Sequence, residues 1–263
     1  PWLPVREPNG AYTYSGSSTI NNVLGFEGMA NPVSILDLQK RMKYDTKIFG
    51  NAAFTFHLAE GLDLRTQIGV DNQRNEYKGY SSTTLNNISR PNGWAEIYND
   101  DVLYWQEETY LTYNKTIDKH RLNLMGGLSW QGRTYDYSQG RTEGFDDDFY
   151  EWYNMGVGRI PSSPQSNWNK WTMNSYFIRG AYTYDDRYSA TVTGRYDGSS
   201  KFGANNKYAF FPSAGFAWNI SNEDFLNGNE KISNLKLHTS YGLTGNSEIS
   251  PYRSLANISA GTI

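Results

Sequence analysis

LDLRTQIGVD, residues 62–71, sets Leu62, Leu64, Thr66, Ile68 and Val70 at alternate positions, with Asp63, Arg65, Gln67, Gly69 and Asp71 between them. Successive side chains of a β-strand point to opposite faces, so a period of two describes a strand with one apolar and one wet face. The pattern recurs over residues 121–131, where Leu122, Leu124, Leu128 and Trp130 alternate with Arg121, Asn123, Ser129 and Gln131. It recurs again where Tyr188, Ala190, Val192 and Tyr196 face away from Ser189, Thr191, Thr193, Arg195 and Asp197, and where Leu235, Leu237, Tyr241 and Leu243 face away from Lys236, His238, Ser240 and Thr244. Weaker versions cover residues 44–58, 98–114, 171–184 and 208–220, so the periodicity predicts about eight strands. Glu107 interrupts the apolar set Leu103, Trp105, Leu111 and Tyr113, and is expected where its strand runs beyond the apolar layer.

The connections alternate in length. Ala59-Glu60-Gly61, residues 117–120 and Asp185-Asp186-Arg187 are tight turns. Between them lie long links, residues 79–97 and 138–170, and later ones around DGSSKFGAN and NEDFLNGNEKIS, the last expected to hold a short helical turn. Long links at one end of a sheet and short ones at the other is the habit of a transmembrane β-barrel, which also places aromatic rings at both ends of its lipid-facing stripe. Tyr113, Trp130, Tyr184, Tyr188 and Trp218 are read as such a girdle near strand ends. Two other readings stay open on periodicity alone: a soluble or surface β-sandwich that binds glycans, and a self-contained eight-stranded barrel.

Composition agrees with an all-β chain. Of 263 residues only 38% are hydrophobic, while 21 Tyr, 12 Phe and 8 Trp raise the aromatic share to 16%. Mean hydropathy is -0.70, which alternation over a half-wet sheet produces. Basic and acidic side chains number 24 and 27, a net charge of -3 that leaves no electrostatic footprint for nucleic acid. Without cysteine the chain has no disulfide, thiolate nucleophile or Cys-based metal site. No run approaches the roughly 18 apolar residues of a membrane-spanning helix, which leaves a barrel allowed. The opening PWLPVREPNG lacks the pattern of a signal peptide, so the chain reads as a mature product or a fragment.

Particular strings sharpen this. RYDGSSKFGANNKYAFFPSAGFAWNISNEDFL (residues 195–226), LKLHTSYGLTGNSEI (235–249) and NPVSILDLQKRMKYDTKIFGNAAFTFHLAEGLDLRTQIGVD (31–71) resemble the barrel of the SusC/RagA family of TonB-dependent outer-membrane transporters of Bacteroidetes. The resemblance implies an antiparallel transmembrane β-barrel wall, about eight strands of a plugged barrel of about 22. It implies that residues 1–263 are a partial barrel domain, with plug, TonB box, signal peptide and C-terminal strands absent. It implies import of an oligosaccharide or peptide, a SusD-like surface lipoprotein and the TonB complex as partners, outer-membrane lipid around the wall, and no cofactor. Within the matching strings, Asp197-Gly198-Ser199-Ser200 is read as turn chemistry, Gly203, Asn205 and Asn206 as sources of positive φ, and Pro212 as tolerated at a bulge or strand end.

Chemistry-bearing residues are sparse. His57, His120 and His238 show no metal-ligand spacing, and the adjacent pairs Asp100-Asp101, Glu107-Glu108 and Asp185-Asp186 point to opposite faces if in strands. Asp146-Asp147-Asp148 lacks the alternating spacing of a Ca²⁺ loop and is expected to be a solvated turn. No phosphate loop, nucleophile elbow or zincin motif occurs, so no enzyme is expected. The long links supply the ligand-binding candidates, Trp94, Tyr150, Trp152, Tyr153, Trp168 and Trp171, because exposed aromatic planes stack on sugars or pack on partners at low entropic cost. Packing of these rings among the loops themselves is the alternative.

Overall fold

A computed structural model describes residues 4–8, 10–13, 31–85, 92–226 and 231–255. A short helix α1 (Pro32–Leu38) precedes the strands, capped by the Asn31 side chain accepting from Val33 N, with proline in its first turn. Proline there lacks only an N–H that would have no partner in the helix anyway. The strands are β1 (Gln39–Ala59), β2 (Leu62–Ser81), β3 (Trp94–Ile117), β4 (His120–Glu143), β5 (Ile160–Pro161), β6 (Gln165–Tyr184), β7 (Tyr188–Ser199), β8 (Tyr208–Asn219) and β9 (Lys236–Gly242). They form one sheet in the order β1-β2-β3-β4-β6-β7-β8-β9, with β5 paired to β4. The path is open: β1 and β9 are its edges, so the described residues form neither a closed eight-stranded barrel nor two packed sheets of a sandwich.

Most strands run past the periodic segments. β3 and β4 each have 24 residues, against about ten needed to cross a bilayer. The links at 79–97 and 138–170 are correspondingly shorter than the periodicity suggests, and residues 86–91 lie outside the description. Around NEDFLNGNEKIS the helical element is a 3-10 turn at Ile220–Asn222, which ends on the first residue of the string, and residues 227–230 are likewise outside. Tight turns close the other end. Gly61, Asp118, Asp185 and Asp186 take positive φ there, and a side chain on Gly61 would collide with the Asn114 carbonyl.

The described chain falls into two compact units. In the one formed by residues 48–72, 103–134 and 169–263, the register fixes which side chains share a face, because partners across an antiparallel ladder project to the same side. One rung joins Tyr184, Tyr188, Trp218 and Leu237; a middle rung joins Gly180, Val192, Ala214 and Tyr241; an upper one joins Tyr176, Tyr196 and Phe210. Ile178 at 68% and Val192 at 62% exposure lie between the aromatic rungs, where a sandwich would bury them. The opposite face carries Arg179, Thr193 and Ser213 on one rung, and Ser175, Asp197 and Ala209 on another. From Tyr208 to Trp218 the strand covers roughly 25 Å of membrane normal once tilted by about 40°, the height of a lipid-facing band.

Several readings change. Trp130 is mid-strand in β4, because that strand continues far beyond it. Glu107 is not beyond the apolar layer: it lies within β3 with Leu103 and Trp105 to one side and Leu111 to the other. Its Oε1 accepts from Thr109 Oγ1 at 2.5 Å and Thr66 Oγ1 at 3.3 Å, which is how the sheet carries the carboxyl there. Asp197, Gly198 and Ser199 end β7 rather than forming a turn, and Gly203, Asn205 and Asn206 are not among the positive-φ residues. Gly198 has a steric reason instead, since a Cβ would run into the Tyr208 ring opposite it. Pro212 is in unbroken register with Gly194, and its carbonyl accepts from Leu243 N where the β8–β9 ladder ends, so its missing N–H removes no bond to β7.

The unit formed by residues 1–47, 73–102 and 135–168 has a small core of Tyr80, Ala95, Phe145 and Trp152, flanked by Ile97 and Met155. Residues 144–158 thus fold over the side of β2 and β3 that bears Tyr80, Ala95 and Ile97.

Candidate functional site

The six aromatic candidates do not converge. Trp152 is only 7% exposed and belongs to the small core, so the ring holds the loop down rather than meeting solvent. Tyr150 and Tyr153 accompany it in the same loop; Tyr153 is 80% exposed and packs against Trp152 at 5.9 Å between ring centres. Tyr150 meets the exposed Phe149 edge-on at 5.0 Å. Trp94 opens β3 on the opposite side from Ala95 and is 5% exposed, with the Arg141 guanidinium 5.2 Å from its ring centre. Trp168, exposed, shares its parity on β6 with Tyr176 and Ile178, the apolar face. Trp171 takes the other parity, tilted against Tyr104 at 6.3 Å, with Lys201 Nζ 4.7 Å from its ring centre.

The aspartate run is not simply a solvated turn. Asp148 accepts from Tyr80 Oη at 2.8 Å, from Ser82 Oγ at 2.5 Å and from Thr83 N at 2.7 Å, tying the loop to the end of β2. Burial alone would raise its carboxyl pKa, but these three donors outweigh it and hold the group below the ordinary carboxylate value. Asp147 caps Phe149 N and Asp146 pairs with Arg159.

On the polar face a cavity of about 440 Å³ opens beside the end of β7, the start of β8 and Met173 within β6. Met173, Phe202, Ala209 and Phe211 supply its apolar lining, and Asp197 and Lys207 also border it. Residues 245–247 close one side, with Gly245 so near the Phe211 ring that a Cβ would collide. Lys201, buried despite its charge, fastens that side by donating to the Ser247 carbonyl at 3.3 Å while the same ammonium lies over the Trp171 ring. Asp197 is fixed by Arg195 Nε at 2.6 Å, and Arg195 also donates to Ser175 Oγ at 2.8 Å. In the sequence Phe202 and Phe211 stand out only within the family-like string 195–226, Asp197 only in the strand alternation and as turn chemistry, and Trp171 only as an aromatic candidate, while nothing singles out Met173. The signal for the cavity was the bulky pair Phe202 and Phe211 on either side of a small residue, Ala209, but nothing in the chain order shows that residues 245–247 return over them.

At the turn end, Glu223 gathers polar tips. Its Oε1 accepts from Tyr188 Oη at 2.6 Å and Trp218 Nε1 at 2.8 Å, and Oε2 accepts from Arg187 at 3.1 Å. The Tyr188 and Trp218 hydrogen bonds, then the Arg187 charge, hold its carboxyl below the usual range. Lys119, donating at 2.8 Å, does the same to Asp185 between neighbouring turns.

Known proteins with this pattern were found by sequence and by shape. Residues 5–259 match the family described as TonB dependent receptor-like, beta-barrel. TonB-dependent receptor P3 of Formosa agariphila is 34% identical over 255 residues, covering 95% of this chain and 25% of the relative. TonB-dependent receptor SusC of Bacteroides thetaiotaomicron is 28% identical over 272 residues, covering 95% and 26%. Among solved structures, the RagAB peptide transporter superposes with a TM-score of 0.79 at 25% identity over 92% of this chain and 26% of that one. The RagAB importer in its closed-closed state gives 0.80, also at 25% identity, over 93% and 27%. The chain thus spans about a quarter of the length of the curated relatives it matches. With one apolar and one polar face on an open run of antiparallel strands and this match along nearly its whole length, the chain belongs to the TonB dependent receptor-like β-barrel family.

Proposed function

We propose that this chain is a stretch of barrel wall in a SusC-like importer that brings oligosaccharides or peptides across the outer membrane. The observation that carries this reading is the two-faced register of β6 to β9, in which aromatic rungs bound an exposed apolar band while Arg195, Asp197 and Arg179 line the other side. In a barrel of this class the apolar band meets lipid and the charged face borders the lumen. The likeness to the RagAB peptide transporter and to the SusC receptor supports import as the task. A plug, a TonB-contacting segment and the other strands are supplied outside this stretch, and a SusD-like lipoprotein caps the extracellular side. The wall's own work is mechanical and electrostatic. It holds a polar passage open in lipid and presents fixed charges and rings to what passes.

Deleting the gene in its host and restoring it with and without a functional TonB tests this. Growth on defined oligosaccharide or peptide mixtures restored only when TonB is intact, with a surface lipoprotein co-purifying, is the expected result. Restoration independent of TonB contradicts it. The aromatic candidates divide under this reading: Trp94 and Trp171 project from the polar face and are proposed to border the passage. Tyr150, Tyr153 and Trp168 are exposed and are proposed to meet a partner rather than substrate, while Trp152 packs in the small core and meets neither.

A further inference from the structure

The cavity beside Phe211 was absorbed by neither the family landmarks nor the aromatic candidates. Its lining carries information about what fits. Met173, Phe202 and Phe211 have no polar tip, in contrast to the Tyr and Trp rings that grip sugars by combining a flat face with an N–H or O–H. Methionine adapts to differing apolar shapes. The cavity is also preformed: Lys201 and Gly245 lock residues 245–247 in place, and Arg195 holds Asp197. A fixed, mostly apolar cavity of about 440 Å³, bordered also by Ser199, Asn206 and Asn246, lies within the range of small-ligand sites, about 300–1,000 Å³. Asp197 and Lys207 add one charge of each sign, suited to the N–H and C=O groups flanking a peptide side chain.

We propose that this cavity, on the lumen-facing side of β6 to β8, is a subsite for an apolar side chain of an extended peptide. Phe202, Phe211 and Met173 receive the side chain, and Asp197 and Lys207 meet the adjoining backbone. The proposal rests on the importer reading and narrows its substrate to peptides. Because the lining reads size and polarity but not shape, several apolar side chains bind alike while a polar one is rejected.

The test is equilibrium dialysis of the purified full-length transporter in detergent with radiolabelled Gly-Leu-Gly-Gly and Gly-Ser-Gly-Gly, and with maltotetraose as competitor. Burial of a leucine side chain predicts at least a roughly tenfold preference for the leucine peptide. Phe211→Ala, which removes a wall, and Ala209→Trp, which fills the space, each abolish that preference while the compact unheated gel band persists. Maltotetraose leaves peptide binding unchanged. Equal affinity for the two peptides, failure of the leucine peptide to bind, an unchanged preference in a folded variant, or displacement by maltotetraose overturns the proposal. If neither variant folds, the wild-type comparison alone decides. TonB is not involved in this measurement, so loss of the preference strikes the subsite only, whereas TonB-independent growth strikes the import reading only.

Discussion

Tyr188 stands directly opposite Trp218 on the β7–β8 ladder, the rings stacked at 6.3 Å and 18°, with both polar tips donating to the same oxygen of Glu223. Such a pair suits the edge of a bilayer, where the ring bodies face hydrocarbon and the tips stay wet. Trp218→Ala removes the stack and one charge-assisted hydrogen bond. A loss of roughly 1–3 kcal/mol is expected, checked by the temperature at which the full-length barrel loses its compact gel band.

Glu223 makes that girdle sensitive to acid. Its carboxyl is held below the ordinary value of 4.5 by Tyr188, Trp218 and Arg187. A depressed folded-state pKa gives stability that is present above the unfolded value and lost as pH falls through the lower, folded one. The wild type is therefore expected to melt above Glu223→Gln at pH 7, with the gap closing below about pH 4. Melting curves of both proteins across this range check it; a gap that grows on acidification contradicts the sign.

Neighbouring residues of β7 are expected to differ sharply. Val192 lies on the exposed apolar face between Tyr188 and Tyr196, and Thr193 on the face of Arg179 and Ser213. An arginine near the bilayer centre costs about 2–4 kcal/mol on a lipid-facing position. Val192→Arg is thus expected to lower the denaturant midpoint of the refolded barrel by that amount, and Thr193→Arg by much less.

Gly198 is expected to tolerate no side chain while Tyr208 is present, since the ring occupies that space. Gly198→Val costs about 1–3 kcal/mol by overpacking. In the Tyr208→Ala background most of that cost disappears, a coupling that a double-mutant cycle on the same melting assay measures.

Asp148 is expected to act as the pin of residues 144–158. Asp148→Ala leaves Tyr80, Ser82 and the Thr83 amide without their acceptor, at a local cost of about 1–3 kcal/mol. Hydrogen exchange confined to this loop and to residues 80–84 is expected to accelerate, while β6 to β8 stay protected.

The strands were legible where one face meets lipid or core and the other water, as at residues 62–71 and 188–197, because that contrast imprints a period of two. The same strands continue invisibly through residues 72–81 and 132–143, where both faces are polar or covered by a folded loop and no contrast is left to read. The helix at Pro32–Leu38 carried a signal in Asn31-Pro32, a cap followed by proline, hidden by its brevity. Gly198 looked like turn chemistry because glycine's commonest reason is backbone freedom, whereas here the reason is a ring on the next strand. Trp152 and Tyr153 are adjacent and alike in composition, yet one is core and the other surface. Only the fold of the loop over Tyr80 separates them.

The central claim is that alternate residues of these strands face lipid and lumen, and this stretch supplies no cysteine to confuse a labelling scan. Single cysteines placed from Tyr188 to Tyr196 in the full-length protein, in native outer membrane, are to be reacted with a membrane-impermeant maleimide and, separately, fluorescently labelled and quenched with brominated lipid. The account predicts quenching by lipid at 190, 192 and 194 and maleimide labelling at 189, 191, 193 and 195. Equal reactivity at both sets, or the reverse assignment, would contradict it.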